Sequence, residues 1–203
     1  MITIVNYGLG NIGSIVNMFK RIGVQSLVTS DKKDIEQATK LLLPGVGHFD
    51  AAMKNIDELD IRGILEKKVI EEQTPILGIC LGMQLLTNGS EEGDLDGFGW
   101  IDARAKKFSF PHNRELKVPQ MGWNLVQVSN DCKLSQGFDE DFRYYFVHSY
   151  YVEVSNQSNS MLKTEFGVKY DSGIFKDNIF GVQFHPEKSH KYGIKLLSNF
   201  AKL

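Results

Sequence analysis

Residues 75–86 read Pro75-Ile76-Leu77-Gly78-Ile79-Cys80-Leu81-Gly82-Met83-Gln84-Leu85-Leu86. The first five are a short apolar run suited to a buried strand, and an apolar-patterned helix starts at once after Cys80. Glycines stand two residues to either side of the cysteine. This is the thiol counterpart of the G-x-S-x-G nucleophile elbow, in which small neighbours permit a sharp, strained strand-to-helix turn. Such a turn projects the sulfur from the carboxyl edge of the sheet, where ligands bind in open α/β folds. It also sets the sulfur at a helix N-terminus, whose partial positive charge favours a thiolate. A lone cysteine in an apolar segment is more commonly a small buried hydrophobe, so the glycines by themselves leave both readings open.

Outward from this stretch, the first half of the chain repeats the same grammar. Strand-like runs at 2–6, 24–30, 40–44 and 75–79 alternate with helical patterns at 11–22, 31–38 and 48–72. Nearly continuous apolar strands alternating with helices predict a parallel sheet covered on both faces. After about residue 97 the pattern changes to alternating and aromatic runs: KKFSF (106–110), NLVQV (124–128), FRYYFVHSYYVEV (142–154) and FGVKY (166–170). These predict β-hairpins and a small additional sheet grafted onto the main one. Strand IFGVQF (179–184) and a helix over 191–201 close the chain, and 89–99 and 155–160 read as loops. Neither an internal repeat nor a linker is evident, so residues 1–203 are expected to form one domain.

Composition narrows the function. Of 203 residues, 42% are hydrophobic and 24% charged, and 23 basic against 25 acidic side chains leave a formal charge of −2. That is an ordinary globular composition without a basic nucleic-acid footprint. No apolar run approaches the roughly 18 residues of a membrane span. The N-terminus enters a strand without the features of a signal peptide, so a cytoplasmic protein is expected. The only cysteines, Cys80 and Cys132, do not suggest a disulfide framework, and neither they nor the five scattered histidines have zinc-site spacing. Neither a metal nor a cofactor is expected.

A second stretch supplies what a nucleophilic cysteine needs. Phe180-Gly181-Val182-Gln183-Phe184-His185-Pro186-Glu187-Lys188 is a strand stopped by Pro186, so His185 and Glu187 fall where the chain leaves the sheet. A thiol requires a base to take its proton and later protonate the leaving amine, and the base requires an orienting group. Cys80, His185 and Glu187 fill these roles in turn.

Gly78-Ile79-Cys80-Leu81-Gly82-Met83-Gln84 and Phe184-His185-Pro186-Glu187 resemble the two signatures of class I (triad) glutamine amidotransferases. Asn6-Tyr7-Gly8-Leu9-Gly10-Asn11, Leu43-Pro44-Gly45-Val46-Gly47-His48-Phe49, Val118-Pro119-Gln120-Met121-Gly122-Trp123-Asn124 and Tyr145-Phe146-Val147-His148-Ser149-Tyr150 narrow the likeness to the glutaminase subunits of imidazole glycerol phosphate synthase. The resemblance runs nearly end to end. It implies the three-layer, flavodoxin-like α/β fold of that class. It also implies glutamine hydrolysis through a Cys80 thioester. The oxyanion would be held by backbone groups at Val46, Gly47 and Leu81, and glutamine by Gly47, Gln84, Ser149 and Tyr150. The partner would be a (β/α)8-barrel cyclase-synthase in a heterodimer. It would be met, and ammonia gated, through Asn11, Pro119, Gln120, Met121, Trp123 and Tyr145.

Two positions depart from the family's pattern. Gln120 stands where histidine is usual, and Asn6 where aspartate is common. Both lie in segments expected to face the partner, which leaves open a paralogous glutaminase that feeds a sugar amidotransferase in surface-glycan synthesis. A different class of function is offered by Gly8-Leu9-Gly10-Asn11-Ile12-Gly13. It spells G-x-G-x-x-G between strand and helix with Asp31 about 20 residues on, the fingerprint of an NAD-dependent oxidoreductase.

Overall fold

The computed structural model describes residues 1–111, 113 and 115–203. Its first half is a β-α alternation: β1 (Ile2–Val5), α1 (Ile12–Arg21), β2 (Ser26–Thr29), α2 (Lys32–Glu36), β3 (Leu41–Gly45), α3 (Phe49–Glu58), α4 (Arg62–Glu66), β4 (Ile76–Cys80) and α5 (Leu81–Leu85). The second half adds β5 (Ala103–Lys107), β6 (Gln120–Leu125), β7 (Gln127–Val128), β8 (Arg143–His148), β9 (Tyr150–Val154), β10 (Ser160–Phe166), β11 (Val168–Lys176), β12 (Ile179–Val182) and α6 (His190–Lys202).

Local chemistry accounts for the helices. Ile15, Met18 and Phe19 form the buried stripe of α1, with Lys20 and Arg21 in its last turn against the negative end of the dipole. Asp31 caps α2 by accepting from the Lys33 N–H, and the His48 ring accepts from Asp50 N–H at the start of α3. Phe49, Ala52, Met53 and Ile56 recur at helical spacing on the buried face of α3.

Alternate residues of the parallel strands feed two cores. Ile2, Ile4, Leu42, Leu77 and Ile79 pack with Ile15 and Phe19 of α1 and with Leu196, Leu197 and Phe200 of α6. Val5, Leu41, Leu43 and Ile76 pack with Ile35 of α2 and the buried face of α3. The expected three-layer arrangement is therefore present. Each such fully buried aliphatic or aromatic side chain contributes roughly 1.5–3 kcal/mol.

The main sheet runs β2-β1-β3-β4-β12-β11-β10-β7, parallel through β12 and antiparallel beyond it. β4 thus lies between β3 and β12, with Gly45 opposite Cys80 and Val182 opposite Ile79. No helix among the described residues is long and apolar enough to cross a membrane.

Four expected runs are corrected, at 48–72, 124–128, 142–154 and 166–170. The helical stretch over 48–72 is broken: Asp60 takes φ +52°, which no helix accommodates, and the chain restarts as α4, running into a π turn over Lys67–Glu71. The expected extra small sheet is present as an antiparallel pair, β6 with β8, while the other second-half strands extend the main sheet. β9 pairs with β11 of the main sheet and brings β5 with it, and among the described residues only β6 and β8 make a separate two-stranded ribbon. The run 142–154 is accordingly two strands that part at Ser149, one for each sheet, and 124–128 divides between β6 and β7 around buried Val126. FGVKY is not one strand either. Gly167, at φ +70°, turns the β10–β11 hairpin, and a Cβ there would sit 2.4 Å from Leu116 Cδ1.

Candidate active site

Cys80 adopts φ +55° and ψ −110° between β4 and α5, a strained conformation for a residue with a side chain. The flanking glycines make it possible. A Cβ on Gly82 would lie 1.9 Å from the Leu43 carbonyl oxygen, and one on Gly78 would lie 2.6 Å from that of Gly82. Strand, turn and helix are thus closer together than any larger residue allows, and the elbow expected from the glycine spacing is the one observed.

The chain leaving β12 brings His185 beside this turn. Its N–H donates to the Tyr145 carbonyl (2.9 Å), and its carbonyl accepts from Ser189 Oγ (2.6 Å), which in turn accepts the Tyr145 N–H (3.0 Å). Gly193 of α6 lets the Pro186 carbonyl approach to where a Cβ would be 1.8 Å away. His185 Nδ1 is 2.8 Å from Glu187 Oε1, with both side chains almost fully buried, at 2% and 1% exposed. His185 Nε2 has no hydrogen-bond partner among the described residues and lines, with Cys80, a cleft of about 260 Å³. Burial opposes protonation of His185, but the Cys80 and Glu187 side chains outweigh it and raise its pKa to about 10.

Val46, Gly47, Leu81, Gln84, Ser149 and Tyr150 line the same cleft. Gly47 has φ +118°. The loop it belongs to is anchored from below by a hydrogen bond from the buried Tyr7 hydroxyl to the Pro44 carbonyl. Burial, and secondarily the nearby sulfur of Cys80, hold the Tyr7 hydroxyl far above its ordinary pKa.

Three further cleft residues are not singled out by the sequence, Glu92, Val147 and His148, and neither is Gln183, which does not line the cleft but reaches the Cys80 sulfur from the buried side. Glu92 comes from the 89–99 loop and, among the described residues, is the only carboxylate lining the cleft. Its Oε2 accepts the Phe49 N–H at 2.9 Å, and Asp50 holds the same loop by accepting from Asp94 and Leu95 N–H. No motif announces it. Gln183 sits between β12 and His185, where only its inward register marks it.

The proposed gate residues divide. Met121 (65% exposed) and Trp123 (44%) face outward, Pro119 is exposed, and Asn11 and Tyr145 are half-buried. Trp123 stacks on His190 (5.6 Å, 4°) and meets Tyr145 edge-on, and Lys188 lies 5.5 Å from the Tyr145 ring centre. Gln120 does not belong with them. The period-two alternation of β6 turns it inward, where it is 3% exposed and bonded to Tyr170. Asn6 Oδ1 accepts the Gly8 N–H (3.2 Å), a role an aspartate would serve equally. Neither departure therefore alters the outward surface directly.

The dinucleotide fingerprint is accounted for by structure. Its third glycine normally permits close helix–strand packing, yet a Cβ on Gly13 would meet nothing within 4 Å. The carboxylate of Asp31 is occupied in capping α2.

An elbow cysteine at one parallel-strand end, with an imidazole and a carboxylate from the chain leaving the neighbouring strand, are the marks of a cysteine-dependent amide hydrolase, and sequence comparison agrees. Residues 3–203 match the profile of Glutamine amidotransferase class-I, and the chain belongs to that family. Within it, the chain is 54% identical over 202 residues to Imidazole glycerol phosphate synthase subunit HisH 2 of Methanococcus maripaludis, covering 100% of this chain and 99% of that one. It is 43% identical over 203 residues to the protein of the same name from Pseudomonas aeruginosa, covering all of both. Among solved structures, PurLQS from Thermotoga maritima superimposes with a TM-score of 0.73 at 19% identity, covering 99% of this chain and 97% of that one.

Proposed function

We propose that Cys80 is the nucleophile, His185 the general acid–base and Glu187 its orienting carboxylate in a glutaminase, the ammonia-producing subunit of imidazole glycerol phosphate synthase. The observation that carries this is the free Nε2 of a buried, carboxylate-anchored imidazole facing the cleft that holds a strained elbow cysteine. The Cys80 thiolate attacks the side-chain amide carbon of glutamine. The oxyanion is met by the Leu81 N–H and by the Val46–Gly47 loop, each such donor contributing about 3–4 kcal/mol. His185 gives its proton to the departing ammonia and then takes one from water, which hydrolyses the thioester to glutamate and regenerates the thiol.

Gln84, Ser149, Tyr150 and the Gly47 backbone hold the substrate. Glu92, the one carboxylate among the described residues that line the cleft, receives its α-ammonium group. Ammonia protonated in bulk water is no nucleophile, so it must pass directly to an acceptor site. The partner is a (β/α)8-barrel cyclase-synthase docked over Met121, Trp123, Pro119, Asn11 and Tyr145, in the cytoplasm. The test is glutamate release by the chain alone and mixed with candidate barrel subunits and their ribonucleotide substrate. Cys80→Ala should abolish release in both cases. Retained turnover would remove Cys80 as the nucleophile, and the absence of stimulation by any barrel subunit would remove the proposed partner.

A further inference from the structure

We propose that Gln183 is a further catalytic residue, its side-chain amide donating a hydrogen bond to the Cys80 sulfur and stabilising the thiolate. The inference rests on the assignment of Cys80 as nucleophile. Gln183 is completely buried on the strand end leading to His185, and its Nε2 lies 3.6 Å from Cys80 Sγ. That distance suits a donor to sulfur, and a donor to an ionised acceptor is about twice as strong as one to a neutral acceptor.

The direction of this donor is fixed by a chain that begins at a group able only to accept. The Tyr150 carbonyl takes His148 Nδ1 (2.7 Å) and Gln84 Nε2 (3.5 Å). Gln84 therefore presents its NH2, which also reaches Gln183 Oε1 at 3.2 Å. With Oε1 engaged there, Gln183 can turn only its NH2 towards the sulfur. Reversing the Gln183 amide would set two NH2 groups against each other and aim a carbonyl oxygen at a thiolate.

The far end is equally constrained. His148 must carry its proton on Nδ1 to serve the Tyr150 carbonyl. Burial first, and secondarily the neighbouring His185, lower its pKa to about 4 despite that bond, so it stays neutral. Its Nε2 lies 3.3 Å and Gln120 Oε1 2.8 Å from the Tyr170 hydroxyl, whose single proton serves one of these two acceptors at a time. Each of these side chains is at most 6% exposed. Glutamine at 120 thus forms the outer anchor of a buried polar chain that ends on the reacting atom.

The titratable groups around the sulfur are His185 from the chain after β12 and Tyr7 from the chain after β1, with Glu187 behind His185 and with His148 and Glu92 lining the same cleft. His185 supplies the positive charge, and Gln183 supplies an uncharged donor that does not titrate.

The test is the pH dependence of Cys80 alkylation by iodoacetamide, followed by mass spectrometry of the Cys80 peptide so that Cys132 does not interfere. Gln183→Met keeps length and burial but removes the donor. It should slow alkylation about 10-fold near neutral pH and move the half-maximal pH, and the acid limb of glutaminase kcat/KM, up by about one unit. Gln183→Asn, which keeps a polar partner for Gln84 but draws the amide away from the sulfur, should shift in the same direction if the Met variant does not fold. A packing role alone would lower the melting temperature and leave both pH midpoints in place, and that result overturns the inference. Wild-type glutaminase activity that survives Cys80→Ala would instead overturn the underlying assignment. The two failures are separable.

Discussion

Replacing Glu187 by glutamine keeps the shape of the His185 contact and removes its charge. In the native fold the carboxylate lies 2.8 Å from Nδ1 with both side chains shielded from water. An opposite charge at this range shifts a pKa by roughly 1–3 units, or on the order of 1–4 kcal/mol at about 1.4 kcal/mol per unit. The imidazolium of the wild type persists to about pH 10. In Glu187→Gln burial is less fully opposed, and the alkaline limb of glutaminase kcat/KM should fall by about 1–3 units. The rate at pH 7 should drop about 10²–10⁴-fold, in line with loss of an orienting carboxylate in other triads.

Stability provides a second readout of opposite bias. A histidine whose pKa is raised on folding stabilises fully below the unfolded imidazole's pKa of about 6.5, and loses that contribution as pH rises through about 10. Urea unfolding of the wild type should therefore weaken from pH 7 to pH 10, and the variant should show much less of that slope. An alkaline limb and an unfolding slope both unchanged in Glu187→Gln would refute the reasoning.

Glu92→Gln should raise KM for glutamine about 10–100-fold with a smaller effect on kcat, since a charge-assisted contact to the α-ammonium group amounts to about 1.5–3 kcal/mol; steady-state kinetics decide it. Gly82→Ala forces a methyl group to 1.9 Å from the Leu43 carbonyl oxygen, so thermal unfolding should show destabilisation of about 1–3 kcal/mol or more, with loss of turnover as the elbow shifts. Trp123→Ala removes an outward aromatic stacked on His190. It should weaken titrated binding to the barrel subunit by more than about 1 kcal/mol while sparing glutamate release by the isolated chain.

Much of the molecule could be read from its residues. The β-α alternation and the apolar strands specify a parallel sheet because strands buried on both faces cannot afford polar positions. The glycines at 78 and 82 specify the elbow because nothing larger fits, and Pro186 specifies where the last parallel strand stops. These are local rules, each contained in a few adjacent residues. Boundaries in the second half were less legible, since whether 142–154 makes one strand or two depends on which sheets its halves join, and that is a matter of partners distant in sequence.

The site shows the same division. Cys80, His185 and Glu187 were visible as residue types at strand ends, but only the strand order β3-β4-β12 sets the loops after Gly45 and Val182 on either side of the cysteine. Glu92 enters the cleft from an unpatterned loop tied to α3 by Asp50, and no periodicity encodes that tie. Gln120 looked like a surface residue because its neighbours are. The strand's alternation turns it inward, to Tyr170, fifty residues away in the chain. Short-range sterics and burial patterns are written in sequence order, whereas hydrogen bonds between buried side chains exist only after the chain has folded, and those were left to the tertiary structure.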